Sequence, residues 1–143
     1  MERYKIAIVI PAFNEEATIY DVVQSVKEYG VVIVVNDAST DKTKKMAKDA
    51  GAVIVSHKEN KGYDGALNSG FSKAEGLNCK AIVTFDADGQ HGVESIEKYI
   101  NELRSGIDLV LGIRPKPARI SEKLFMYYSR YRFNWSDPLC GMK

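Results

Sequence analysis

Short runs of apolar, mostly β-branched residues recur at 6–10, 31–35, 53–55, 81–85 and 107–111. Each run is apolar throughout rather than alternating, which predicts strands buried on both faces. The stretches between them carry helical spacing. In 15–29, Ile19, Val22, Val23, Val26 and Tyr29 recur at i, i+3, i+4 and i+7 and form one apolar stripe. The stretches 42–50, 65–74 and 93–103 read the same way. Strands alternating with helices predict an α/β fold, with a mainly parallel central sheet between two helical layers. In such sheets ligands bind beyond the carboxyl ends of the strands. From Arg114 onward the pattern changes: Pro115 and Pro117 interrupt it, and aromatic and basic residues then dominate.

The polar residues collect at those carboxyl ends. The first strand runs into Pro11-Ala12-Phe13-Asn14-Glu15-Glu16, and the second into Asn36-Asp37-Ala38-Ser39-Thr40-Asp41. The third leads to Asn60-Lys61-Gly62-Tyr63-Asp64-Gly65, and the fourth to Phe85-Asp86-Ala87-Asp88-Gly89-Gln90. Segments distant in sequence are thus expected to line one polar cleft. Asp86 and Asp88 are separated by one residue, so on extended backbone they present two carboxylates to one side. Two like charges that close are costly without a cation. Hard oxygen ligands of this kind, with the Gln90 amide oxygen beside them, suit Mg²⁺ or Mn²⁺. A metal held there has a diphosphate as its natural partner.

Composition narrows the classes. A chain of 143 residues with 45% hydrophobic and 27% charged residues reads as one soluble globular domain. The formal net charge of +1 gives no electrostatic reason to expect nucleic acid. Cys79 and Cys140 lack CxxC spacing and a His partner, so free thiols in a reducing compartment are expected. No signal peptide is visible, and no run reaches the roughly 20 apolar residues that span a bilayer. A cytoplasmic protein is the expectation.

Taken together, these segments resemble the inverting family 2 glycosyltransferases of the GT-A fold, particularly the dolichyl- or polyprenyl-phosphate sugar transferases. The resemblance rests on the four loop segments above, on Leu111-Gly112-Ile113-Arg114, and on Ser136-Asp137-Pro138-Leu139-Cys140-Gly141-Met142-Lys143. It implies a Rossmann-like three-layer sandwich, with 1–114 as the nucleotide-sugar half and 115–143 as a curtailed acceptor-side segment of a single domain. It also implies transfer of a sugar from a UDP- or GDP-linked donor, with divalent-metal help.

The resemblance assigns roles residue by residue. Pro11, Ala12, Phe13 and Glu15 would line the nucleoside pocket, and Asp37 would accept from the edge of the base. Lys61 would assist the diphosphate, with Gly62 permitting close backbone approach. Asp88 and Gln90 would bind the metal, while Asp86, beside Ala87, would meet the metal or the ribose. Arg114 would contact the leaving diphosphate or an acceptor phosphate. Asp137 is the candidate general base if the acceptor is a hydroxyl; an ionised lipid phosphate needs none. Structural readings stand beside these. Asn14 is expected to cap the first helix, Thr40 or Asp41 the second, and His91 to be structural.

The segment 119–135 places Leu124, Tyr127 or Tyr128, Tyr131 and Trp135 at helical spacing among Lys123, Arg130 and Arg132. It reads first as an amphipathic helix closing the sheet edge or forming a homo-oligomer contact. The alternative is an interfacial helix at the inner face of a membrane, near a lipid-phosphate acceptor. A non-catalytic nucleotide-sugar-binding module needing a partner chain is the alternative to an enzyme. A haloacid-dehalogenase-type phosphatase loop is a further match to Asp86-Ala87-Asp88-Gly89, but Gln90 departs from that pattern.

Overall fold

Four parallel strands carry the fold: β1 (Ile6–Ala12), β2 (Val31–Asn36), β3 (Val53–Ser56) and β4 (Ala81–Thr84). The computed structural model describes residues 5–89 and 93–106, with 108 and 110. By internal contacts the chain divides into a unit spanning Met1–Gly106 and a second spanning Ile107–Lys143. The architecture below is that of the first. Residues 107, 109 and 111 of the expected strand at 107–111, the aromatic segment 119–135, and Gln90, His91, Arg114 and Asp137 lie outside the described residues.

The strand order is β3-β2-β1-β4. In register, Ala12 lies opposite Asn36, and Val9 lies opposite Thr84. The chain therefore builds outward from β1 to β3 and then returns to add β4 on the other side of β1. The gap between the carboxyl ends of β1 and β4 is the topological switch point, where open parallel sheets bind ligands.

Both faces of β1 are buried, as an unbroken apolar run requires. Ile6, Ile8 and Ile10 face a core shared with α1 (Ile19–Val26), α2 (Thr43–Asp49) and α4 (Glu94–Arg104). Ala7 and Val9 face a second core with Ile33, Val35 and residues of α3 (Gly62–Gly76). Ile19, Val22, Val23 and Val26 are all buried, so the stripe read from the sequence is the packed face of α1. Gly70 lets α3 settle directly on the sheet: a Cβ there would stand 2.3 Å from Val9 Cγ1.

Two helix starts shift by several residues from the pattern-based expectation. The helix expected from residue 15 begins only at Ile19, with Thr18 at its N-cap. Asn14 takes a left-handed backbone (φ 57°), and the Glu15 and Glu16 amides donate to Thr43 and Asp41 side chains. Those amides are thus held by the neighbouring loop before a helix can form. Asn14 consequently does not cap α1; its Oδ1 accepts the Thr40 N–H at 2.9 Å. Conversely, α3 begins at Gly62 rather than Gly65. The Gly62 N–H is satisfied by Asn60 Oδ1 at 2.9 Å, which substitutes for a helical partner.

Candidate functional site

The loops after β1 and β2 are laced together by side-chain to backbone hydrogen bonds. Ser39 Oγ accepts the Asn14 N–H at 3.0 Å, and Thr43 Oγ1 accepts the Glu15 N–H at 2.8 Å. Asp41 Oδ2 accepts the Glu16 N–H at 3.1 Å, while Glu16 Oε2 returns to the Lys42 N–H at 2.8 Å. The N-cap position of α2 falls on Lys42, with no side-chain cap, rather than on Thr40 or Asp41; Asp41, one residue earlier, takes the Thr43 N–H on Oδ1 at 2.9 Å. Burial pushes the Asp41 carboxyl up, but the Thr43 hydroxyl and the Thr43 and Glu16 amides outweigh it and leave it below its ordinary value. Much of the polar sequence in these loops therefore serves to fix their shape.

That scaffold frames a cleft of about 380 Å³ at the carboxyl edge of the sheet. Pro11, Ala12, Phe13 and Glu15 line it from β1, and Asp37 from β2. Asn60, Gly62, Tyr63 and Ala66 contribute from the approach to α3, and Asp86, Ala87 and Asp88 from β4. Its volume falls in the range of small-molecule sites, about 300–1,000 Å³. Phe13 and Tyr63 are large exposed aromatics on its walls. The Tyr63 hydroxyl donates to Asp86 Oδ1 at 3.4 Å, and Thr18 Oγ1 donates to the Ala87 carbonyl at 2.7 Å. The latter bond ties the start of α1 to the loop carrying the paired aspartates.

Asp37 is the most constrained acid of the cleft, at 3% exposure. Its Oδ1 accepts the Lys61 N–H at 2.8 Å and lies 2.6 Å from His57 Nδ1. Burial pushes the carboxyl up, but the Lys61 amide and the His57 imidazole more than offset this and hold it below the usual carboxylate value. Asp37 is thus an ionised, acceptor-only group near neutral pH.

A larger hollow of about 620 Å³ opens at the opposite edge, among Lys5, Lys27, Tyr29, Gly30, Glu97 and Arg104. It lies at the amino ends of β1 and β2, away from the ligand edge of a parallel sheet, and its acids, Glu28 and Glu97, stand among Lys5, Lys27 and Arg104. The carboxyl-edge cleft is the one that the topology and the acidic residues both mark.

All the expected donor-binding residues except Lys61 line this cleft. Lys61 contributes its backbone N–H to Asp37, and its side chain lies over Gly65. Among the described residues no group of three or more His, Cys, Asp or Glu side chains gathers for a metal. Asp86 and Asp88 both reach the cleft, and a pair of carboxylates suits Mg²⁺, which keeps few protein ligands. Cleft-lining Asn60, Tyr63 and Ala66 escaped the sequence reading, as did His57 and Ser69 behind Asp37. For His57 a signal existed, since it is the first residue after β3 and so lies on the ligand edge. Cys79 is a free thiol. No helix among the described residues is long and apolar enough to cross a membrane.

An open parallel sheet with a polar cleft at its switch point defines a doubly wound α/β domain, and its structural neighbours are GT-A glycosyltransferases. The chain belongs to glycosyl transferase family 2, whose family model matches residues 7–137. An uncharacterized protein of Methanocaldococcus jannaschii is 41% identical over 117 residues, covering 80% of this chain and 48% of that protein. The UDP-N-acetylglucosamine–dolichyl-phosphate N-acetylglucosaminyltransferase of Methanococcus voltae is 34% identical over 131 residues, covering 78% and 52%. Glucosyl-3-phosphoglycerate synthase from Mycobacterium tuberculosis, crystallised with Mn²⁺, UDP and glucosyl-3-phosphoglycerate, matches with a TM-score of 0.71 at 25% identity. That match covers 96% of this chain and 55% of the synthase. The chain therefore spans about half the length of the relatives it matches.

Proposed function

We propose that this chain carries the donor site of an inverting glycosyltransferase that takes a UDP- or GDP-linked sugar. The observation that carries this reading is one cleft with Asp37 on one wall and Asp86 and Asp88 on another. A base and a diphosphate joined by a ribose need such a pair of separated acidic anchors. In this reading Asp37 accepts from the N–H edge of the base, while Pro11, Ala12 and Phe13 pack the nucleoside. Glu15 accepts a ribose hydroxyl. The backbone at Gly62 approaches the diphosphate, assisted by Lys61.

Asp86 and Asp88, with Gln90, would hold Mg²⁺ or Mn²⁺, which when bound supplies Lewis-acid stabilisation of the departing diphosphate. The acceptor oxygen attacks the anomeric carbon from the face opposite the diphosphate, and the electron pair of the broken C–O bond leaves with the nucleoside diphosphate. Arg114 would contact the diphosphate or an acceptor phosphate. With a hydroxyl acceptor Asp137 takes the proton; with an ionised lipid phosphate no base is needed. The dolichyl-phosphate relative supports a polyprenyl-phosphate acceptor, and the synthase crystallised with Mn²⁺ and UDP supports divalent-metal use.

The test is a thermal-shift screen of UDP- and GDP-sugars, each with and without Mn²⁺, followed by transfer assays to polyprenyl phosphate in vesicles. Metal-dependent stabilisation by one donor class, lost in Asp88→Ala, is the expected result. Equal affinity of wild type and Asp88→Ala for nucleotide and metal would overturn the reading. Transfer or donor hydrolysis by the purified chain alone would exclude a non-catalytic binding module.

A further inference from the structure

The side chains of Asp37, His57 and Ser69 form a continuous chain that crosses from the end of β2 to the middle of α3. His57 Nδ1 lies 2.6 Å from Asp37 Oδ1, and His57 Nε2 lies 2.8 Å from Ser69 Oγ. Ser69 Oγ is also 3.1 Å from the Gly65 carbonyl. The side chains of His57 and Asp37 are each only 5% exposed. The His57 backbone is fixed too, since its N–H donates to the Asn36 carbonyl at 3.0 Å.

An acid, an imidazole and a hydroxyl in this order could make a hydrolytic triad only if the hydroxyl met a substrate. Ser69 sits mid-helix, within reach of the Gly65 carbonyl, and does not line the cleft. Asp37 is the member of the chain that does line it.

We propose that His57 is the positioning residue of the base pocket, clamping the Asp37 carboxylate so that it meets a nucleobase offering N–H donors. The inference rests on the donor-site reading above and extends it to a residue outside the cleft wall. Three physical points carry it.

An ionised carboxylate can only accept, so the Asp37–His57 contact requires the proton on His57 Nδ1. The far nitrogen is satisfied in either protonation state. Ser69 donates its one hydroxyl hydrogen to a neutral Nε2, or turns it to the Gly65 carbonyl and accepts from a protonated Nε2. The clamp therefore does not depend on which way the Ser69 hydroxyl points.

Asp37 Oδ1 is gripped from two elements at once, by His57 after β3 and by the Lys61 N–H before α3. A head group fixed in this way does not have to be ordered when the base arrives, and that preorganisation favours affinity. An acceptor fixed in place also selects. Uracil offers a ring N–H at N3 and guanine at N1, whereas cytosine N3 and adenine N1 present lone pairs there and carry N–H donors only on their exocyclic amines.

The test compares affinities of the full chain for UDP–Mn²⁺, GDP–Mn²⁺ and, as a base-free probe, pyrophosphate–Mn²⁺. Wild type should bind one nucleoside diphosphate more tightly than pyrophosphate. His57→Leu should weaken that nucleotide by about tenfold or more while leaving pyrophosphate within about twofold, because a hydrogen bond that fixes the Asp37 carboxylate is lost. His57→Asn keeps an N–H near the Nδ1 position and should remain within about threefold of wild type. His57→Gln places its amide toward Ser69 and should fall with the leucine variant.

Unchanged nucleotide affinity in the Leu or Gln variant would overturn the proposal. A parallel loss of pyrophosphate binding would do the same, by exposing a general structural defect. If His57→Leu fails to fold, the contrast between Asn and Gln decides alone. Failure of wild type to bind either nucleotide would instead sink the donor-site reading, and this inference with it.

Discussion

Asp41 and Glu16 hold each other's loops: Asp41 Oδ2 accepts the Glu16 N–H at 3.1 Å, and Glu16 Oε2 accepts the Lys42 N–H at 2.8 Å. This reciprocal pair stiffens the loops from which Phe13, Glu15 and Asp37 reach the cleft. Asp41→Ala leaves the Thr43 and Glu16 amides without their acceptor. It should lower unfolding free energy by about 1–3 kcal/mol in urea titrations, and nucleotide affinity should fall because the cleft walls are no longer held in register.

Acid should destabilise the protein through Asp37 and Asp41. Both carboxyls lie below their ordinary value in the folded state, since amide, hydroxyl and imidazole contacts outweigh the effect of burial. A depressed folded value means that their contribution is full above the unfolded carboxylate value, about 3.9, and is lost as pH falls through the folded values. Thermal melts should therefore be flat with respect to these groups near neutrality and decline below about pH 4. Asp41→Asn should flatten part of that decline; an unchanged acid limb would count against the assignment.

Gly70→Ala should destabilise the domain by pushing α3 off the sheet. Its Cβ would lie 2.3 Å from Val9 Cγ1 and 3.3 Å from Val35 Cγ2, so α3 must lift from the sheet. Overpacking of this kind costs typically about 1–3 kcal/mol. Urea unfolding should report a lower midpoint, and a midpoint matching wild type would show that α3 yields freely.

Asp37→Asn should separate base recognition from diphosphate binding. The amide retains an acceptor but loses the charge and presents an N–H toward donors. Affinity for UDP or GDP should drop by about tenfold or more, with pyrophosphate–Mn²⁺ little changed. Calorimetry on the three ligands reads both halves of the site.

Metal removal should reproduce the Asp88→Ala phenotype. Chelation with EDTA should weaken nucleotide binding to wild type by at least about tenfold, and should have no further effect on the variant. An additional loss on chelating the variant would place the metal elsewhere.

The alternation of β-strands and α-helices and the amphipathic stripe of α1 were legible because they depend on local periodicity. The burial of β1 on both faces followed from its unbroken apolar run. The left-handed Asn14 and the late start of α1 were not legible, because the amides of Glu15 and Glu16 are taken by side chains 28 and 25 residues away. Local capping rules suggested Asn14 as a helix cap, and a long-range hydrogen bond to Thr40 prevailed.

The sequence by itself determined the elements, the family to which the chain belongs, and which acidic residues stand at the carboxyl ends of strands. The elements and the acidic positions depend on residue order along one strand or one helix turn, and the family on several such segments in a fixed order. Only the tertiary structure decided that Asp37 meets His57 and Lys61, that Tyr63 reaches Asp86, and that Asp41 binds the loop after β1. Those pairings depend on the order β3-β2-β1-β4, which sets loops side by side regardless of their separation in sequence.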